Sequence, residues 1–274
     1  MNQSFFNFPQ IDPILISLGS FELFGSTFEP AIRWYGFMYL VGFLATLLLL
    51  NRHADKPNSG WTREQVSDLL FYGFLGVVLG GRCGYVLFYH FDLFLENPLY
   101  LFKITEGGMS FHGGLIGVTL AMIYIARTQK RTFFQVADLV APTIPIGLGM
   151  GRIGNFINGE LWGRVTDVPW AVIFPQAGML PRHPSQLYQF TLEGVALFIL
   201  LQWYQRRTQK SGAISGMFLL GYGIARSLVE FVREPDQHLG LYLNLFTQGQ
   251  LLSIPMIIFG IYLIKRPEGV KAKS

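Results

Sequence analysis

The feature that most restricts this chain is a set of long runs almost free of charge. Trp34 to Leu50 and Leu245 to Ile264 hold no charged residue, Leu69 to Tyr89 holds only Arg82, and Gln186 to Gln205 only Glu193. A helix of about 20 apolar residues crosses the hydrocarbon core of a bilayer. Three further runs are shorter or carry polar groups: Phe111 to Ala126, Phe133 to Gly151 with Asp138 and two prolines, and Ala213 to Val232 with Arg226 and Glu230. The pattern predicts an all-α polytopic membrane protein of about seven helices. Composition agrees, because 21 basic and 17 acidic residues in 274 make 14% charged, against about 25% in soluble domains. Mean hydropathy is +0.37. Disorder and collagen are excluded by the apolar content. The single cysteine, Cys83, excludes an internal disulfide framework and a multi-cysteine metal cluster.

Orientation follows from lysine and arginine, which accumulate on the cytoplasmic side. Arg52, Lys56 and Arg63, then Arg127, Lys130 and Arg131, then Arg206, Arg207 and Lys210, then Lys265, Arg266, Lys271 and Lys273 fall on one side of the alternating spans. If that side is cytoplasmic, the N-terminus is periplasmic and the C-terminus cytoplasmic, and an odd helix count satisfies both. The N-terminal segment lacks the basic region and small-residue cleavage site of a secretory signal. It reads either as a segment on the outer membrane surface or as a buried arm. The whole of 1–274 reads as one membrane domain, with 154–185, between helices four and five, as a periplasmic loop or small head.

Eight basic residues remain on the outer side or within spans: Arg33, Arg82, Lys103, Arg152, Arg164, Arg182, Arg226 and Arg233. Seven are arginine, whose planar fork matches phosphate with two parallel hydrogen bonds. Such a set near an outer leaflet points to a lipid phosphate, the alternative being arginines that snorkel or pair for structure. Tyr222, Arg226 and Glu230 recur every four residues and share one helix face, with Arg233 three positions on. An ionisable residue in a membrane helix needs a partner or a wet cavity, so this face turns inward, as a structural ion pair or as a site.

The block Gly147-Leu-Gly-Met-Gly-Arg152-Ile-Gly-Asn155-Phe-Ile-Asn158-Gly-Glu160 is neither a phosphate-binding P-loop nor a dinucleotide fingerprint. Its glycines permit close approach of backbone to a helix or a ligand. His112, at the head of the third span, has the right ordinary pKa for a general base and equally suits a hydrogen-bonded structural role. Cys83 reads as a small buried hydrophobe.

Taken together, Trp34-Tyr35-Gly36, His112-Gly113-Gly114-Leu115-Ile116-Gly117, Gly151-Arg152-Ile-Gly-Asn155-Phe-Ile-Asn158-Gly-Glu160, Arg182-His183-Pro184-Ser185-Gln186-Leu187-Tyr188 and Arg226-x-x-x-Glu230-Phe231-x-Arg233-x-Pro235-Asp236 resemble bacterial prolipoprotein diacylglyceryl transferase. The resemblance spans nearly the whole chain. It departs at Arg33, where some members have histidine, and at Gln189, where glutamate is common. It implies a seven-helix inner-membrane enzyme without cofactor or metal. That enzyme would move the diacylglyceryl group of phosphatidylglycerol onto the lipobox cysteine of a prolipoprotein signal peptide, releasing glycerol phosphate; no nucleic acid is involved. The resemblance assigns catalytic roles to His112, Arg152 and Arg226, with Tyr35, Asn155, Glu160, Gly163, Tyr222, Glu230 and Arg233 supporting substrate binding.

The chemistry is compatible. Negative charge developing on a departing phosphate needs stabilising, which Arg152 and Arg226 suit. A thiol of pKa near 8.5 must ionise to attack, helped by His112 as base or by the field of Arg226. The rival from another class is a transporter or channel for an anionic or lipid-like solute, since intramembrane charge also marks permeation routes. Against it stand the outer-side bias of the arginines and the absence of inverted halves. An intramembrane aspartyl peptidase would need a partner for Asp138, and none is evident in the sequence.

Overall fold

A computed structural model describes residues 5–23, 26–103, 107–234 and 247–267. Pro235 and Asp236 of the resemblance, and Lys271 and Lys273 of the charge pattern, lie outside the described residues. The chain divides into two compact units, residues 1–46 with 141–274, and residues 47–140.

The first unit opens with strands β1 (Phe6–Asn7), β2 (Ile14–Ser17), β3 (Phe21–Leu23), β4 (Ser26–Phe28) and β5 (Ala31–Arg33). Helix α1 (Trp34–Ala54) begins here and ends in the second unit. The unit resumes with α6 (Ile144–Ile157), strands β6 (Val172–Ile173) and β7 (Pro181–Arg182), and α7 (Ser185–Gln189). A wide π turn, Phe190–Ala196, joins α7 to α8 (Leu197–Tyr204), and α9 (Ala213–Glu230) and α10 (Gln248–Lys265) complete it. The second unit holds α2 (Arg63–Tyr89), α3 (Phe91–Glu96), a 3₁₀ turn (Pro98–Phe102), α4 (Phe111–Thr128) and α5 (Phe133–Val140).

Helix ends follow local chemistry. Thr62 with Gln65 forms a capping box at α2, and Thr247 with Gln250 another at α10. The Ser110 hydroxyl accepts from the Gly113 amide to start α4. Each satisfies an amide that the first turn cannot.

Among the described residues, four helices, α1, α2, α4 and α10, are long and apolar enough to cross a membrane, and α5 with α6 makes a fifth candidate bent by 46°. The protein is therefore mostly helical and polytopic. The sequence reads Phe133 to Gly151 as one span that carries polar groups. It breaks between α5 and α6 because Pro142 and Pro145 remove two backbone donors and crowd the preceding turn. Helix α6 then runs past Gly151 to Ile157, which puts Arg152 and Asn155 within the helix.

The all-α expectation also needs amending for the strands. β1 pairs parallel with β6, which pairs antiparallel with β7, while β2 pairs with β5 and β3 with β4. Of the two N-terminal alternatives, residues 5–8 form the docked arm: Phe8 packs with Val172 and Phe174, with Phe156, Trp162 and Ala177 around them. Strands β6 and β7 and the residues between Trp162 and Ala177 thus pack on an aromatic cluster.

The membrane helices wear their apolar side chains outward, among them Tyr39, Phe43 and Leu48 on α1 and Ile258, Phe259 and Tyr262 on α10. With lipid as solvent, helices associate through small residues that bring backbones together. In the second unit Gly76 and Gly80 of α2 press on the backbone of Gly117 and Gly113 of α4, leaving no space for a side chain. A separate core of Leu50, Trp61, Val66, Leu69, Ile125 and Val136 closes that unit. The Arg131 guanidinium lies 3.8 Å over the Trp61 ring and donates to the Gly60 carbonyl.

Candidate functional site

The first unit gathers most of the expected polar residues into one network. Arg152 on α6 and Arg226 on α9 both face Glu193, a carboxylate with no solvent exposure on the π turn. Arg152 Nη2 is 3.6 Å from Glu193 Oε2, and Arg226 Nη1 is 3.9 Å from Glu193 Oε1. Arg226 Nη2 contacts Glu230 Oε1 much more closely, at 2.5 Å, and Arg233 Nη1 reaches the same oxygen at 3.4 Å. The face predicted from four-residue spacing therefore exists, and its Arg226–Glu230 pair is one part of a larger assembly. Tyr222, one turn before Arg226, feels the charges of Glu193, Arg226, Arg152 and Glu230.

The backbone explains the convergence. A Cβ on Gly149 would stand 3.3 Å from the Gly194 Cα, and one on Gly194 3.0 Å from the Gly149 Cα. Helix α6 and the π turn thus touch backbone to backbone just where Arg152 and Glu193 project. A π turn also rotates the residues after it relative to an ordinary helix, and such turns concentrate at functional sites. At the other end of the network a Cβ on Gly249 would lie 2.7 Å from Glu230 Cδ, so the first turn of α10 closes over that carboxylate.

A second branch leads from Arg152 along the glycine block. Arg152 Nη1 donates to Asn155 Oδ1 at 3.4 Å, Asn155 Nδ2 to Glu160 Oε1 at 2.8 Å, and Asn158 Nδ2 to the same oxygen at 3.3 Å. Gln186 Nε2 donates to the Glu160 carbonyl at 2.6 Å and ties the block to α7. The Tyr35 phenol lies 3.2 Å from that of Tyr39. Its ring covers Gly154, where any side chain would collide with it.

Six of the eight basic residues set apart in the sequence, all arginines, sort by these contacts. Arg82 is buried in the second unit and gives its nitrogens to the carbonyls of Tyr100, Leu101, Gly107 and Gly108. Arg164 donates to the Arg233 carbonyl, and Arg182 to the Gly163 carbonyl and to Glu234 at 3.1 Å. Those three hold loops together; Arg152, Arg226 and Arg233 form the network. Gly163 contributes backbone: its amide donates to the His183 carbonyl at 2.9 Å, and a Cβ there would meet the Val232 carbonyl oxygen at 2.6 Å. Burial lowers the pKa of His183 beside it. His112 belongs to the second unit, exposed on the first turn of α4, its ring edge-on to Phe111. Cys83, expected to be buried, is half-exposed on α2.

Sequence reasoning passed over Glu193 and its neighbour Gln189, which donates to Glu193 Oε1 at 3.3 Å. The signal was present, since Glu193 is the only charge in its apolar run and an intramembrane carboxylate carries a large insertion cost.

Fold and network together define a polytopic membrane protein with a buried arginine–glutamate cluster linking three helical segments. The sequence profile of prolipoprotein diacylglyceryl transferases matches residues 23–266. A phosphatidylglycerol–prolipoprotein diacylglyceryl transferase of Shewanella oneidensis is 73% identical over 263 residues, covering 96% of this chain and 98% of the relative. One of Vibrio campbellii is 62% identical over 264 residues, 96% of this chain and 93% of its own. The chain belongs to the prolipoprotein diacylglyceryl transferase family, and it is a transferase of the first step of lipoprotein maturation. This displaces the transporter reading.

Proposed function

We propose that this chain transfers the diacylglyceryl group of phosphatidylglycerol to the cysteine thiol of a prolipoprotein, as the names of its relatives state of them. The cysteine sulfur attacks the glyceride carbon that bears the phosphate. The carbon–oxygen bond breaks, its electron pair leaves on glycerol phosphate, and a thioether remains. Among the residues, the supporting observation is the convergence of Arg152 and Arg226 from separate helices, each 3.6 to 3.9 Å from Glu193. Neither contact is a full hydrogen bond, so both guanidiniums retain donors for phosphate oxygens. Their charge stabilises the leaving phosphate and, from Arg226, favours thiolate over thiol.

His112 takes the thiol proton in this reading, supported by its place in the His112-Gly113-Gly114 motif. Tyr35, Asn155, Glu160, Tyr222, Glu230 and Arg233 orient the two arginines, and Gly163 keeps the head close-packed beside Arg233. The assay is direct. Purified protein incubated with phosphatidylglycerol and a lipobox peptide adds one diacylglyceryl mass to the peptide and releases glycerol phosphate; an unchanged peptide overturns the reading.

The chain works as one membrane domain of seven spans in a bacterial inner membrane. Helical run 185–204 and α9 join the five candidates, with the N-terminus and the 154–185 head periplasmic and the C-terminus cytoplasmic. The one-sided clustering of basic residues and the folded head support this arrangement.

A further inference from the structure

The network contains a mismatch that its ion pairs do not resolve. Glu193 Oε2 is buried and receives no hydrogen bond, and Arg226 Nη1 is buried and gives none. Arg152 Nη2 faces that oxygen at 3.6 Å, too far for a hydrogen bond, and Arg226 Nη1 is 3.9 Å from the other oxygen of the same carboxylate, so an acceptor and a donor without hydrogen bonds share one site. Reorienting the neighbouring amide does not help. Gln189 Nε2 already donates to Glu193 Oε1, and flipping it would set oxygen against oxygen. By contrast Arg226 meets Glu230 at 2.5 Å, so the helices could have brought the Glu193 pair together and have not.

Buried polar atoms left unmade cost free energy, and such gaps in folded proteins ask for a partner. A phosphate oxygen accepts from Arg226 but leaves Glu193 Oε2 without a donor. A hydroxyl answers both, donating its hydrogen to Glu193 Oε2 while its lone pair accepts from Arg226 Nη1. We infer that Glu193 is the headgroup-selecting residue of this site, reading a hydroxyl of the glycerol that leaves with the phosphate. The inference rests on the proposed phosphatidylglycerol reaction and adds to it a reason for choosing a polyol headgroup over a plain alkyl phosphodiester. Arg152, with its second nitrogen directed to Asn155, remains for the phosphate itself.

The test compares two lipids and two proteins. Phosphatidylglycerol and phosphatidylpropanol share the phosphodiester and the reacting carbon, but the second lacks headgroup hydroxyls. A site built around a hydroxyl rejects the analogue lacking it, so the unaltered protein should transfer from phosphatidylpropanol at least about a hundredfold less efficiently by kcat/KM. Glu193→Gln puts an amide donor where the second carboxylate oxygen stood. It should lose activity on phosphatidylglycerol while its preference between the two lipids falls to within about threefold. Two results overturn the inference: equal use of both lipids by the unaltered protein, or a Glu193→Gln variant that loses activity on both by the same factor. The first comparison needs no variant and so survives a folding failure. Absence of transfer from either lipid by the unaltered protein overturns the proposed reaction instead.

Discussion

Arg152 carries the residue-scale prediction. It is held by Asn155 through one nitrogen and faces Glu193 with the other. Arg152→Ala should insert normally and lower transfer by at least about 10²- to 10³-fold, the usual loss when a single charge-stabilising donor is removed. Arg152→Lys should recover little, because an ammonium cannot present two parallel donors. Peptide acylation in membranes with matched protein levels checks both; full activity in Arg152→Ala would remove the phosphate role. Glu193→Gln, above, probes the carboxylate opposite. For His112 the expected outcome of His112→Gln is a loss in kcat that raising the pH partly restores, since hydroxide replaces a missing base. The arginines were legible in the sequence because charge in an apolar run is conspicuous. Glu193 was equally conspicuous and still missed, because its partners lie 41 and 33 positions away and no short-range spacing links them.

At the scale of elements, the contact between α6 and the π turn is the most consequential. Gly149→Val pushes branched methyls into Phe190 and Gly194, where even a Cβ on Gly149 sits 3.2 to 3.3 Å from its neighbours. Overpacking of this kind costs about 1 to 3 kcal/mol, and here it also moves Arg152 away from Glu193. Transfer should fall more than stability does, a difference visible by comparing initial rates with thermal melting in detergent. A second element-scale prediction concerns pH. Burial depresses the His183 pKa, so the folded head favours neutral imidazole while the unfolded chain protonates near 6.5. As pH falls below about 6.5 the unfolded form gains the proton first and stability drops. Amides bonded across 163–183 should show lower protection factors, taken against the intrinsic base-catalysed rate at each pH, at pH 5.5 than at 7, and His183→Asn should flatten the difference. The helices themselves were readable from apolar runs and capping residues. The strands were not: β1 pairs with Val172 and Ile173, far along the chain, and β2 to β5 are runs of three or four residues, too short for alternation to show.

For the whole molecule, the charge pattern makes a topological prediction. Cysteines introduced near Lys210 and near Lys265 should react with a membrane-impermeant thiol reagent only after the cytoplasmic face is opened. One introduced near Met179 in the head should react in intact spheroplasts, with the half-exposed Cys83 replaced by serine beforehand. Labelling of Met179 and Lys210 positions from the same side would refute the arrangement. The polytopic helical character was legible at this level, because membrane thickness acts on the sequence without reference to packing. The number of spans was less so, as Pro142 and Pro145 bend one run by 46°.

The fully buried Glu193 also bears on how the protein is made. Synthesis proceeds from the N-terminus, so Arg152 enters the membrane before its carboxylate exists, and that carboxylate arrives before Arg226. Each step leaves a charge in hydrocarbon whose insertion costs about 2.5 to 3.5 kcal/mol until the next helix is delivered. In the seven-span arrangement proposed above, segment 185–204 is therefore a provisional resident of the bilayer, and α9 completes its assembly. A chain truncated before α9 should be cleared by membrane proteases, and supplying α9 and α10 as a separate polypeptide should protect it.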